Sequence, residues 1–223
     1  MATTVTVPQE QLEDPLAYLP CSRILEYRKG QVIYSTEQPP SNLNLIIDGT
    51  VKVLRMSNDG HQIVMDIYHT DDFFGESAFL TGQTPKEQAV AMEDTKVMTW
   101  SIPALADIMA RAPGLSIALL QLLAQRSLDF GNRLESFAVD NIARRLARSL
   151  IRFSERLGEK NGDGSVLMMP FTHELLSQIV GTSREIVTHY MNQFRRQGYL
   201  QYSRKGISIY QDALRDWLRQ PAA

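Results

Sequence analysis

Phe171 to Leu200, FTHELLSQIVGTSREIVTHYMNQFRRQGYL, decides how the rest of the chain is read. It divides into two short helices about a tight corner. The first, Thr172 to Val180, opens on a threonine that can cap exposed amides and puts Leu175, Leu176 and Ile179 on one face. Gly181 follows, the residue that adopts a left-handed backbone without a steric penalty. Thr182-Ser183-Arg184-Glu185 then has the pattern of a capping box, a hydroxyl with a carboxylate three residues on. In the second helix Val187, Tyr190, Met191 and Phe194 recur at helical spacing and face inward. That leaves Arg184, Glu185, Thr188, His189 and Asn192 outside, with Arg195 and Arg196 at the end. A polar-faced helix set across a glycine corner from a supporting helix is the pattern of a helix-turn-helix, whose second member fits the DNA major groove.

Two helices and a glycine corner occur in many helical proteins, so the surrounding residues carry the distinction. Arginine can take a guanine edge and glutamate the cytosine amino group, which makes Arg184, Glu185, Thr188 and His189 the candidate base readers. Thr172, Ser183, Asn192, Arg195 and Arg196 suit the phosphate backbone. Tyr199 to Tyr210 alternates like a hairpin with a basic tip at Arg204-Lys205, a wing that adds two more phosphate candidates.

At 223 residues the chain can hold two domains, each with its own core. Its 43% hydrophobic and 22% charged residues are ordinary for a soluble protein. No apolar run reaches the roughly 18 residues of a membrane span, and the first residues lack the layout of a signal peptide. A single cysteine, Cys21, allows no internal disulfide and fits a reducing cytoplasm. It also excludes a thiolate iron–sulfur cluster within one chain. The formal charge of −2 hides a division: residues 141–223 carry 13 Lys/Arg against 7 Asp/Glu, and residues 1–140 carry 10 against 18. Only the C-terminal part has the charge of a polyanion binder.

Ahead of it the pattern is β. After a short helix candidate at Asp14–Leu19, about eight short strands are separated by turn residues, with hairpin signals at Asp48-Gly49 and Asn58-Asp59-Gly60. This spacing implies a jelly roll or small barrel. Past Pro103 the period becomes helical. Ala104–Arg111 is one helix, and a second runs from Pro113 to about Phe137. Along it Leu120, Leu123, Ser127, Phe130, Leu134 and Phe137 are spaced 3, 4, 3, 4, 3, a heptad seam for a second copy. Leu115, Leu119 and Leu122 form another row, suited to the helix's own barrel. A hinge is expected near Asp140-Asn141, before a basic amphipathic helix from Ile142 to Arg156.

Barrel, Phe74-Gly75-Glu76 cassette, long helix and Gln178-Ile179-Val180-Gly181 with Ser183-Arg184-Glu185 together resemble the cyclic-AMP receptor protein/FNR (CRP/FNR) family of transcription regulators, over nearly the whole chain. The resemblance implies an α+β protein in three parts: an effector-type jelly roll at 1–112, a dimerisation helix at 113–138 and a winged helix-turn-helix at 139–223. It implies a homodimer on double-stranded, two-fold symmetric DNA, with RNA polymerase as a partner and a small ligand in the barrel. Arg184 and Glu185 match the family's base-reading pair, whereas His189 stands where cyclic-AMP receptors have a second arginine. The implied effector pocket comprises Gly75, Glu76, Ser77, Lys86, Gln88 and Phe130.

Within that pocket the residues speak against cyclic AMP. Gly75 and Glu76 match the ribose contacts. Glu87-Gln88 fall where an Arg-Ser pair would bind the phosphate, and a carboxylate there is repulsive. Lys86 is near but lacks the planar fork of arginine. Phe130-Gly131 replace the Thr-Ser pair that meets adenine. A different effector, or regulation by abundance alone, is the expectation, with no cofactor indicated.

Other chemistry is weakly marked. His61, His69 and Glu76 share the barrel half without the close His-x-His spacing of jelly-roll metal enzymes. No nucleophile elbow or P-loop is present, so catalysis is not expected. Cys21 as a redox sensor and a haem ligated by one histidine stay open. A sensor or interaction module acting through protein partners is the alternative function. Against it stands an exposed helix bearing Arg184, Glu185, Thr188 and His189 beside a basic wing.

Overall fold

The computed structural model describes residues 12–57, 59–80, 86–203 and 205–220. The N-terminal helix candidate is a single 3-10 turn, Pro15–Ala17, capped by the Asp14 carboxylate on the Leu16 amide at 2.9 Å.

Eight strands follow: β1 Arg23–Tyr27, β2 Val32–Tyr34, β3 Asn42–Asp48, β4 Thr50–Met56, β5 Gln62–His69, β6 Phe73–Phe74, β7 Glu87–Ala91 and β8 Thr95–Ser101. They form two antiparallel four-stranded sheets, ordered β1-β8-β3-β6 and β2-β7-β4-β5. That order is a jelly roll, as the strand spacing implies. One of the two hairpin expectations fails. β4 and β5 do pair across the Asn58 turn, whose first residue lies outside the described ones. β3 and β4, by contrast, belong to opposite sheets. Gly49 carries the chain over the edge at φ +102°, and a Cβ there would lie 2.5 Å from Thr95 Oγ1. One residue is too short for a hairpin loop, so Asp-Gly here marks a corner.

Two of the three apolar clusters follow from this layering. Tyr34, Ile46, Val51, Tyr68 and Phe74 fill the roll. Leu43, Leu45, Phe73 and Trp100 face outward under two helices, α1 Ile102–Arg111 and α2 Gly114–Val139, whose Leu105, Leu115 and Leu119 close the second cluster. The barrel-facing row of α2 is therefore the expected one. Gly131 does not interrupt the helix, which spans 26 residues and roughly 39 Å.

Past Asp140 come α3 Ile142–Leu157, β9 Glu159–Lys160, β10 Val166–Met168, α4 His173–Val180, α5 Arg184–Arg196, β11 Leu200–Tyr202, β12 Ile207–Ile209 and α6 Gln211–Arg219. The hairpin β11–β12 continues through β10 to β9, so the wing is part of a four-stranded sheet. The stretch Glu159–Gly164, polar enough to read as a loop, includes the short strand β9.

The third cluster crosses the divide. Leu54, Val64 and Ile67 of the barrel share one core with Leu146, Leu150, Phe171, Leu176 and Phe194 of the C-terminal part. A β-bulge makes this possible. Opposite β4 the register passes from Asp66 to Val64 and skips Met65, so Val64 and Ile67 reach the same face although three residues apart.

Candidate functional site

The corner of the helix-turn-helix is built as the residues dictate. Thr172 Oγ1 caps α4 by accepting from the Leu175 amide at 3.1 Å, and Gly181 ends it at φ +68°. The cap of α5 departs from expectation by one residue. Ser183, not Thr182, accepts from the Ile186 amide at 3.4 Å, so Glu185 stands in the first turn and no reciprocal capping box forms. Glu185 is thereby released to solvent. Its own amide and the Ser183 hydroxyl hold its carboxyl below the usual range, keeping it an ionised acceptor.

Val187, Met191 and Phe194 are fully buried, and Tyr190 is half-buried. Arg184, Glu185, His189, Arg195 and Arg196 are exposed, while Asn192 is half-buried. Thr188 is different. Its hydroxyl lies 2.8 Å from the Arg184 carbonyl and 2.8 Å from His173 Nδ1, and Tyr202 Oη is 3.0 Å from His173 Nε2. A carbonyl only accepts, so Thr188 donates to it and His173 Nδ1–H donates to Thr188. Burial and the Arg184 charge lower the His173 pKa, which favours the neutral ring, and in that form Nε2 accepts from Tyr202 Oη. Thr188 thus keeps one lone pair and its methyl for a base edge. The chain of bonds ties α4, α5 and the wing strand together, and neither His173 nor Tyr202 stands out from sequence spacing.

At the wing tip Lys205 is exposed, and Arg204 lies outside the described residues. Gly206 turns beneath it at φ +155°, where a Cβ would meet the Met168 carbonyl. Ser183 and Thr172 are both exposed beside the free start of their helices.

The C-terminal charge surplus is not all available to a polyanion. Arg144 and Arg148 contact Asp140 at 3.1 and 2.6 Å, and Arg152 and Arg156 contact Asp66 of the barrel at 3.1 and 2.9 Å. Arg156 also reaches Asp72 at 3.2 Å. Burial by itself would raise the Asp66 pKa, but the Arg152 and Arg156 charges overcome it and hold the carboxyl below its ordinary value. The charge division seen along the chain is therefore partly an internal ionic interface between barrel and α3.

A concavity of about 510 Å3 lies between barrel, α2 and α3. Glu76, Ser77 and Phe130 line it, while Lys86 and Gln88 do not. Strand alternation is the reason: β7 turns Glu87 into the cavity, so its neighbours turn away. Gly75 sits beneath at φ +87°, with Asn42 O and Asn44 Nδ2 each 2.8 Å from where a Cβ would be. Residues 81–85, between the Phe74-Gly75-Glu76 cassette and β7, lie outside the described ones.

The cavity's chemistry comes largely from residues that spacing does not single out. Arg126 Nη1 is 2.7 Å from Glu76 Oε1, close enough for an ion pair but off the line of a good hydrogen bond. Its guanidinium lies 4.7 Å from the Tyr68 ring centroid, and it donates to the Phe73 carbonyl. Glu87 accepts from Ser77 and from Tyr34 Oη, the latter at 3.3 Å. Glu76 is thus engaged within the chain by an ion pair.

Along α2, Leu120, Leu123, Phe130 and Leu134 are exposed, joined by Ile117, Leu128 and Val139, so the bare stripe is wider than the heptad seam. Ser127 is exposed within it. Phe137 is partly occupied within the chain: its ring carries the Arg145 guanidinium at 4.8 Å and abuts Gly181. The candidate metal trio does not assemble. His61 lies by Asp59, His69 Nδ1 is 3.0 Å from Asp72, and Glu76 holds Arg126.

A jelly roll with a side cavity, joined by a long half-bare helix to a winged helix-turn-helix, defines a two-part transcription regulator. Two family models match, a cyclic nucleotide-binding domain over residues 24–112 and a Crp-like helix-turn-helix domain over residues 144–216. The chain is 26% identical over 185 residues to a CRP-like cAMP-activated global transcriptional regulator of Mycobacterium tuberculosis, covering 83% of each. It is 24% identical over 190 residues to the global nitrogen regulator of Synechococcus elongatus, covering 84% of this chain and 86% of the relative. The structure of FixK2 from Bradyrhizobium japonicum superposes with a TM-score of 0.77 at 20% identity, over 92% of this chain and all of that one. The protein belongs to the CRP/FNR family and is a DNA-binding transcription regulator of that type.

Proposed function

We propose that the protein acts as a cytoplasmic homodimer, pairing through the exposed stripe of α2 and reading a two-fold symmetric DNA site, with RNA polymerase as its partner in transcription. Three functional parts follow: barrel at 1–112, dimerising helix at 113–138 and reading head at 139–223. The observation that carries this reading is the exposed first turn of α5, where Arg184 and Glu185 project beside a basic wing. Arg184 reads a guanine and Glu185 a cytosine amino group. His189 and the Thr188 methyl contribute a weaker outer preference. Thr172, Ser183, Asn192, Arg195, Arg196, Arg204 and Lys205 hold phosphates. Pairing two heads about one turn apart, ~34 Å, doubles the site.

The barrel cavity, with Glu76, Ser77 and Phe130 at its wall and Gly75 beneath, takes an effector other than cyclic AMP, and the protein's chemistry is binding rather than catalysis. The test is selection of genomic fragments with purified protein, followed by two variants. Arg184→Ala should weaken the selected site by roughly 1–3 kcal/mol and relax one base pair. Arg195→Ala should weaken all sequences alike and shrink the salt slope by about one. Equal losses in both variants on random DNA would refute the base-reading assignment.

A further inference from the structure

The charged groups lining the barrel cavity, Arg55, Arg126, Arg133 and Arg152 with Asp66, Glu76, Glu87 and Asp129, balance in number but do not all pair. Glu76 is matched by Arg126 at 2.7 Å, and Asp66 by Arg152 at 3.1 Å with Arg156 behind it. Two of the groups without an ion pair stand on different elements. Glu87, on β7, is held by two neutral hydroxyls, those of Ser77 and Tyr34. Arg133, on α2, donates to the main-chain carbonyls of Met65 and Val64, and among the described residues no carboxylate comes within ion-pairing distance. Its guanidinium has five N–H donors, so at least two stay free.

The charges at this end balance in number but not in pairing. Arg133, Arg152 and Arg156 face Asp66, Asp72 and Asp129, yet Arg152 and Arg156 hold Asp66 and Asp72 while Arg133 makes an ion pair with none of the three. Burial lowers the pKa of Arg133 and of Arg152, and the Asp66 charge offsets part of that in each. Position matters as well. Arg133, Arg152 and Asp129 line the barrel cavity and also a second cleft of about 500 Å3, which is walled by Asp140, Arg145, Ile179 and Val180. The unmatched cation thus stands in the partition between the effector cavity and the hinge of the reading head. The bulge that skips Met65 creates this seat, because it aims the Met65 carbonyl at Arg133 and the Asp66 carboxylate at α3.

Resting on the reading of the cavity as an effector site, we propose that its ligand is a small organic anion whose carboxylate or phosphate is seated on Arg133 and Arg152, at the interdomain end. Glu87 makes the barrel wall hostile to such a group and fixes the ligand's orientation. An oxyanion at Arg133 and Arg152 competes with Asp66 for Arg152, so binding alters the contact between barrel and α3 directly. Ligand charge is then read by the hinge without passing through the barrel.

The full-length protein is titrated calorimetrically with citrate and succinate, with glucose 6-phosphate and glycerol 3-phosphate, with cyclic AMP, and with spermidine as the cationic control. A carboxylate or phosphate probe should saturate with a Kd tighter than about 1 mM. It should weaken by about 10-fold or more in Arg133→Gln, recover in part in Arg133→Lys, and hold or strengthen in Glu87→Gln. The two probe pairs distinguish the carboxylate from the phosphate. Thermal unfolding of each variant shows whether it is folded, and Arg133→Lys keeps the test sharp if Arg133→Gln is not. Saturation by spermidine alone, or anion binding indifferent to both Arg133 variants, would overturn the anion seat while leaving the cavity an effector site. Binding of no probe would remove both.

Discussion

Asp66 is the residue whose loss is most informative, because one carboxylate holds two guanidiniums from the other half of the chain. Asp66→Asn preserves shape, so packing is nearly unchanged and the effect is electrostatic. Breaking a buried ion pair on one side costs about 3–5 kcal/mol, since the partner charge is left desolvated. Two features reduce that here. Arg156 keeps Asp72 at 3.2 Å, and the Arg152 and Arg156 side chains are 21% and 27% exposed, so water reaches them. An effect of about 2–3 kcal/mol is expected, or roughly 4–12 °C in Tm for a chain of this size. Thermal unfolding of wild type, Asp66→Asn, Arg152→Gln and the double variant forms a cycle. The double variant should be less damaged than the sum of the singles, because removing Arg152 removes a stranded cation. Limited proteolysis should cut faster near Asp140-Asn141 in Asp66→Asn. A Tm within ~1 °C of wild type, or strict additivity in the cycle, would refute the reasoning.

The pH dependence has a definite sign. The Asp66 pKa is lowered on folding, so its contribution is complete above the unfolded carboxylate value of about 4 and is lost as pH falls through the lower folded value. The barrel–α3 contact should persist at pH 5 and loosen only below about pH 4, and that acid step should vanish in Asp66→Asn, read by tryptophan fluorescence against pH. Gly181→Ala places a Cβ 3.2 Å from the Phe137 ring at a left-handed φ, and should cost about 1–2 kcal/mol of stability in denaturant titration. In the proposed homodimer, Leu120→Glu with Leu134→Glu puts like charges on the α2 stripe. Sedimentation should show monomer with the helix content unchanged, and a dimer that persists would move the interface elsewhere. Tyr202→Phe removes the hydroxyl that His173 accepts, and should weaken DNA affinity by about 1 kcal/mol without altering the preferred sequence. A changed preference would mean that Tyr202 meets bases itself.

Local signals carried the parts of this fold that depend on neighbours in the chain. Helical period, glycine at Gly181 and hydroxyl caps are short-range features, and they placed α4, α5 and the barrel-facing row of α2 to within a residue or two. Turn residues and spacing gave the number of barrel strands, about eight, although β1, RILEY, lacks a clean alternation and β6 has two residues, too few to carry a period. The Asp48-Gly49 corner was misread as a hairpin because the same dipeptide serves any sharp turn, and only the sheet partners differ.

Periodicity and backbone chemistry within a few residues settle the order of modules and the face of α5 that points outward. Which charges remain free is settled only by folding. Arg152 and Arg156 look like DNA-seeking cations until the Met65 bulge turns Asp66 toward them, about 90 residues earlier in the chain. Arg126, Arg133 and the His173–Thr188–Tyr202 chain were likewise invisible, because their partners lie in other elements. A side chain's charge is a property of the sequence, but its availability depends on what folding brings within hydrogen-bonding reach.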